Sequence, residues 1–171
     1  MKELLERKEI SREIPLSLAK TKSTTSLAVL FDRETKYLKL AKVPSLSSKM
    51  VMGVYQTSLL MWNAISTCTF DNGIENVQHR SLGIATYFCH LHHPWEKGEG
   101  RRENGEWRRE KGEVEQSNKL IREYITKGID ISSYTEDYVR FVEERLNNMP
   151  RKSIGYRTPR EYMLELGQLN M

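Results

Sequence analysis

Asp71 stands where a short β-branched run, Ile65–Phe70, gives way to the turn tripeptide Asp71-Asn72-Gly73. Open α/β sheets bind ligands beyond the carboxyl ends of their strands, and a carboxylate there suits a hard cation such as Mg²⁺. The same side chain can also bond its own backbone in an ordinary turn. Glu115 is the second carboxylate of interest. At about 100° per residue, Glu115, Lys119 and Arg122 share one face of a helix. That face could hold a metal beside a phosphate track, or simply be solvated with a Glu–Lys pair four residues apart. Arg151, Lys152, Arg157 and Arg160 surround Tyr156 in a proline-bounded basic segment. Such a segment could grip phosphates or form plain basic surface. Cys89-His90-Leu91-His92-His93 offers zinc-ligand types. Only Cys68 and His79 remain to complete a zinc site, neither with a partner at the usual spacing, so the cluster reads as a loop of unpaired histidines.

The elements that must position these residues follow from apolar spacing. Residues 1–12 are mostly charged and read as a disordered or frayed segment, or a short helix. Leu16 and Leu18 alternate weakly as a strand that Pro15 demotes. Ser26–Phe31 is a nearly continuous apolar run, as in a strand buried on both faces. After the tight polar connection Asp32–Thr35, Tyr37–Leu40 alternates, so the pair reads as an antiparallel hairpin. Pro44 and Ser45–Ser48 open a helix whose buried face is Val51, Val54, Tyr55, Ser58, Met61 and Trp62. Strands over 65–70 and 85–89 follow. A helix from 114 gathers Val114, Leu120, Ile121, Tyr124 and Ile125 on its apolar side. Ser133 and Glu136 have capping-box spacing for a last long helix. Tyr138, Phe141, Val142 and Leu146 line that helix, and Pro150 stops it. A short helix lies around Pro159–Leu166. The order predicts a mixed α/β domain with helices packed on a sheet.

Residues 96–113 break this pattern. They are almost wholly Gly, Glu and Arg around Trp107, and Glu96-Lys97-Gly98-Glu99 returns as Glu110-Lys111-Gly112-Glu113. This reads as a charged insertion, exposed as a loop or a protruding helix. The reading is therefore a segment 1–12 followed by one domain over 13–171. The 171 residues carry 27 Lys+Arg against 23 Asp+Glu, a formal charge of +4 that permits a polyanionic partner. Two cysteines build no disulfide scaffold. No apolar run approaches the ~18 residues of a membrane span, and the N-terminus lacks the apolar stretch of a signal peptide. The expectation is a cytosolic protein with no membrane.

Thr69–Gly73, Tyr87–Cys89, Pro94–Gly98, Glu113–Tyr124, Lys127–Asp130 and Leu146–Glu161, this last reading Asn-Asn-Met-Pro-Arg-Lys…Gly-Tyr-Arg-Thr-Pro through its middle, occur in that order. Together they resemble the catalytic core of bacterial insertion-sequence transposases of the IS-thirty type, over residues 13–165. The resemblance implies an RNase H-like, retroviral-integrase-like fold. It also implies DNA cutting and joining by two aspartates and a glutamate that hold two Mg²⁺ (or Mn²⁺) ions. On that reading Asp71 matches the second aspartate and Glu115 the glutamate, both as metal ligands. Lys119, Arg122, Arg151, Lys152, Arg157 and Arg160 are candidate DNA contacts. The implied partners are transposon-end and target DNA, with multimers of the chain or pairing with a full-length transposase. The implied setting is a bacterial or archaeal cytosol, at the nucleoid.

The departures are specific. The family's first aspartate falls on Pro15, which has no metal ligand and removes a strand N–H. Glu13 lies two residues earlier, about 6–7 Å along a strand. Asp71 and Glu115 are 44 residues apart, wider than the family's spacing, and the 96–113 segment accounts for the excess. Glu103 sits nearer the usual spacing but lacks the matching flanks. The segment after Asp71 looks short, Asn76 stands at an aromatic position, and His90, His92 and His93 replace an acidic and aromatic stretch. The family's upstream helix-turn-helix region has no counterpart. The alternative expectation is thus a catalytically inactive, truncated relative that binds DNA or an intact transposase.

Overall fold

The computed structural model describes residues 12–14, 25–62, 65, 67–70, 74–88 and 116–169. Five strands form one sheet in the order β3-β2-β1-β4-β5. They are β1 (Arg12–Ile14), β2 (Ser26–Asp32), β3 (Leu38–Val43), β4 (Thr67–Phe70) and β5 (Ala85–Phe88). β1 pairs antiparallel with β2 and parallel with β4, and β4 pairs parallel with β5. The helices are α1 (Ser48–Leu59), α2 (116–124), α3 (Glu136–Asn147) and α4 (Pro159–Glu165). This is the mixed α/β architecture that the apolar spacing predicts, and it accords with the RNase H-like fold that the resemblance implies. β1 opens at Arg12, one residue before the boundary read from the sequence, and element ends shift by that much with definition. The Leu16–Leu18 alternation and the 96–113 insertion lie outside the described residues.

Every residue of β2 is buried, because the strand has helices on both faces. Leu27, Val29 and Phe31 face one core with Leu38, Leu40, Ile121, Ile125 and the α3 residues Val139, Val142 and Leu146. Ala28 and Leu30 face the other, with Val51, Met52 and Tyr55 of α1, Cys68 and Phe70 of β4, and Met163 of α4. The period of two in the strand thus meets two helical stripes.

Three expectations need correction. Met61 is 41% exposed, and Met52 and Leu59 take the core positions instead. The helix ends before Met61, so the 3.6-residue stripe does not carry through. Phe141 is 53% exposed, while Val139 is buried in its place. The α3 cap is Thr135, whose hydroxyl accepts from the Tyr138 N–H at 3.1 Å. Ser133 belongs to the preceding 3₁₀ turn and donates to the Asp130 carbonyl. The capping box of α4 is complete, with Thr158 and Glu161 bonding reciprocally and Pro159 at the first helical position.

Two polar side chains on the buried stripe of α3 fasten the outer edge of β3. Alternate residues of an edge strand turn their N–H and C=O away from the neighbouring strand. At Leu38, Asn147 satisfies both groups: its Oδ1 accepts from the N–H at 2.8 Å and its Nδ2 donates to the carbonyl at 2.7 Å. At Leu40, Glu143 Oε2 accepts from the N–H at 2.7 Å, while its Oε1 takes the Lys39 ammonium at 2.8 Å.

Candidate functional site

The parallel register aligns the strands that lead into the candidate site. Ile14 pairs with Phe70, and Phe70 with Phe88. The next residues along the chain are Pro15, Asp71 and Cys89, all outside the described residues. The strand that leads into Asp71 is anchored by burial. Cys68 and Phe70 are fully enclosed, and the Phe70 ring packs on Tyr55 at 5.7 Å and Phe88 at 6.0 Å. The chain resumes at Ile74–Asn76 and is tied down on two sides. Gln78 N–H donates to Ser48 Oγ at the start of α1, and the Gln56 amide donates to the Ser81 carbonyl. His79 Nδ1 lies 2.5 Å from Thr86 Oγ1, with its imidazole edge-on to Phe88 at 4.7 Å. Asn76, at the position where the resembled family has an aromatic residue, is fully buried.

Glu115 also lies outside the described residues, just before α2. The helix presents the two faces that its sequence encodes. Ile121 is buried, as is Ile125 just past its end, while Lys119 and Arg122 are exposed. Its C-terminal end is held by α3, where the Tyr138 hydroxyl donates to the Tyr124 carbonyl at 3.1 Å.

The basic segment lies at the other end of the sheet. β1 and β4 run away from the β2–β3 turn, since Arg12 pairs with Asp32 at the turn and Ile14 with Phe70. α3 reaches Leu38, beside that turn, at its last residue. The segment after α3 leads into α4, whose Met163 packs in one core with Tyr37. Burial, then Glu143, push the Tyr37 hydroxyl up to about 12, with Arg160 opposing and Glu144 adding to the rise. Arg157 is committed within the fold. It pairs with Glu165 at 2.7 Å, donates to the Ile154 carbonyl and stacks 3.7 Å over Tyr162. Arg151 is half-buried, and burial draws its pKa down. Its Nη2 donates to the Leu146 carbonyl at 3.3 Å, and its buried Nε has no hydrogen-bond partner. Lys152 and Arg160 are exposed. The structure therefore separates the predicted cations into an α2 pair and a hairpin-end group.

No family model matches the chain. The transposase for insertion sequence element IS4351 of Bacteroides fragilis is 41% identical over 103 residues, which is 58% of this chain and 27% of that protein. The transposase for IS1086 of Cupriavidus metallidurans is 27% identical over 148 residues, 83% of this chain and 40% of that protein. The InsI transposase for IS30A of Escherichia coli is 28% identical over 141 residues, 79% of this chain and 33% of that protein. The chain is similar over most of its length to insertion-sequence transposases. It spans about a quarter to two fifths of the length of these curated relatives. Its fold resembles that of an integrase catalytic core. The catalytic core domain of BIV integrase superposes with a TM-score of 0.65 at 17% identity, covering 93% of this chain and 96% of that one.

Among the described residues, no three His, Cys, Asp or Glu side chains gather as a metal site, and no helix is long and apolar enough to cross a membrane. The donor set that the transposase resemblance implies is one carboxylate short, since Pro15 has no side-chain oxygen. Asp32, a fully buried carboxylate on β2, does not replace it. Its Oδ2 accepts from the Thr35 hydroxyl at 2.8 Å and its Oδ1 from the Glu34 N–H at 3.1 Å, at the hairpin end of the sheet. Sequence reasoning missed Glu143 and Asn147. Their signal was present: both stand on the stripe of Val139, Val142 and Leu146, where an apolar residue is the ordinary choice.

Proposed function

We propose that this chain is the integrase-like core of an insertion-sequence transposase, which engages transposon-end and target DNA and cuts poorly or not at all. Asp71 and Glu115 are its proposed ligands for Mg²⁺ or Mn²⁺, without a third carboxylate. Lys119 and Arg122, exposed one and two turns along from Glu115, are the proposed phosphate contacts beside the cut. The observation that carries this reading is the pairing of Ile14 with Phe70. It aligns the chain positions just before Pro15 and Asp71 on adjacent parallel strands, where an integrase-like core needs two aspartates. The second reading is an inactive module that binds DNA, multimerises or pairs with an intact transposase at the nucleoid. Pro15 favours it, because a two-metal site needs both the attacking and the leaving oxygen to meet an ion.

Nicking and strand transfer on labelled duplex DNA with Mn²⁺ or Mg²⁺ test the proposal, using the native chain, Asp71→Asn and Pro15→Asp. Activity that appears in Pro15→Asp supports a core silenced by one residue. Metal-dependent cleavage by the native chain, lost in Asp71→Asn, supports an intact site with another third ligand. Silence from every variant supports the binding-module reading.

A further inference from the structure

Residues 151–160 hold four cations and no carboxylate. One cation, Arg157, is neutralised by Glu165. Lys152 and Arg160 make no ion pair among the described residues. Arg151 has a guanidinium whose Nε is buried with no hydrogen-bond partner. Between them the backbone makes a tight excursion. Gly155 and Tyr156 both have positive φ, +70° and +64°. The turn is locked because the Arg151 carbonyl accepts from the Tyr156 N–H and the Arg157 carbonyl from the Arg151 N–H, each at 2.9 Å. A tyrosine in the left-handed region is uncommon, and such strain persists only where the surroundings enforce it. Here the enforced conformation leaves Tyr156 69% exposed, an aromatic at the tip of a cationic loop with no packing role to explain it.

The position of this loop matters as much as its charge. It follows α3, whose last residue meets Leu38 beside the β2–β3 turn, while Asp71 follows the opposite end of β4. Across the sheet, β3 and β4 are three strand spacings apart, roughly 14 Å at about 4.8 Å each. That is about four base-pair steps of duplex at ~3.4 Å per step. We propose that Lys152, Tyr156 and Arg160, with Arg151 behind them, form a second duplex-DNA contact that grips the sugar–phosphate backbone away from the bond being cut. This inference rests on the proposed DNA function and adds to it a place for DNA other than the reacting phosphodiester. Tyrosine hydroxyls and cationic side chains are common phosphate partners that carry register rather than sequence.

The test is fluorescence anisotropy of the full chain with labelled duplexes of unrelated sequence over a salt series. Lys152→Ala combined with Arg160→Ala should weaken binding and reduce the slope of log K against log salt by about 1.8, near 0.9 per phosphate contact. Tyr156→Gly should weaken binding while thermal stability stays level or rises, because glycine accepts positive φ without strain. A tyrosine with a merely structural role would lose stability instead. Energy transfer between two separately labelled duplexes, present with the native chain and lost in these variants, would assign the contact to a second duplex. A lost salt slope without transfer would assign it to the flank of the same duplex. Native-like affinity and slope in both variants, with binding lost in Lys119→Ala/Arg122→Ala, would overturn the second contact and leave the DNA function standing. A native chain that binds no DNA would overturn both.

Discussion

Where β2 turns into β3, polar side chains spend their hydrogen bonds on the fold itself. Asp32 closes the turn with Thr35 and Glu34, and Asn147 and Glu143 take the outward backbone groups of Leu38 and Leu40. Where β1 and β4 end, the residues holding the strands are apolar: Phe70 lies between Tyr55 and Phe88, and the next residue in the chain is the carboxylate of Asp71. The difference teaches a division of labour. Asp32, Asn147 and Glu143 are consumed by structure. At the end of β4, apolar packing holds the strand that leads into Asp71.

Mutations at each end should therefore fail in different assays. The largest effect belongs to Asp71→Asn in a Pro15→Asp background. Metal-dependent cleavage should fall about a thousandfold, ~4 kcal/mol of barrier, with the urea midpoint unmoved. A parallel loss of stability would break the division. At the hairpin end, Asn147→Leu should do the reverse. It strands a buried N–H and a buried C=O, each costing about 1–3 kcal/mol, so urea unfolding should show a loss of roughly 2–6 kcal/mol.

Tyr37 sharpens the comparison through pH. Its hydroxyl is raised from 10.0 to about 12, chiefly by burial and then by Glu143. Below pH 10 it is protonated whether folded or not and costs nothing. As pH rises from 10 towards 12, only the unfolded chain releases the proton, so folding weakens by up to about 1.4 kcal/mol per pH unit. Tyr37→Phe should remove that part of the alkaline loss, read as the difference between variant and native unfolding at pH 9 and pH 11.5. The smallest effect is expected for Thr135→Ala, which removes the α3 cap and should cost ~1 kcal/mol in thermal unfolding.

Much of this was legible in the sequence because it is written in apolar spacing. The seven-residue run of β2, the hairpin after it and the two faces of α2 all follow from period two or 3.6. Asp71 was legible as a strand-end carboxylate. Polar residues that serve the core were not. Asn147 and Glu143 look like surface residues by type, and only their place on the Val139–Leu146 stripe marks them. β1 was legible only through resemblance, since three residues beside a proline carry almost no periodic signal. Thr135 and Ser133 both offer a capping hydroxyl to a helix start, and local spacing alone does not choose between them.

The Asn147 clasp on β3 has a consequence for how this protein meets other copies of itself. A sheet can recruit a strand from another chain only through unpaired N–H and C=O groups on its rim, and at Leu38 both are already taken by one amide side chain. On that rim, α3 has to lift away before Leu38 can pair with a strand of another chain. Lifting α3 would uncover those groups together with the Leu38 and Leu40 side chains that it packs on.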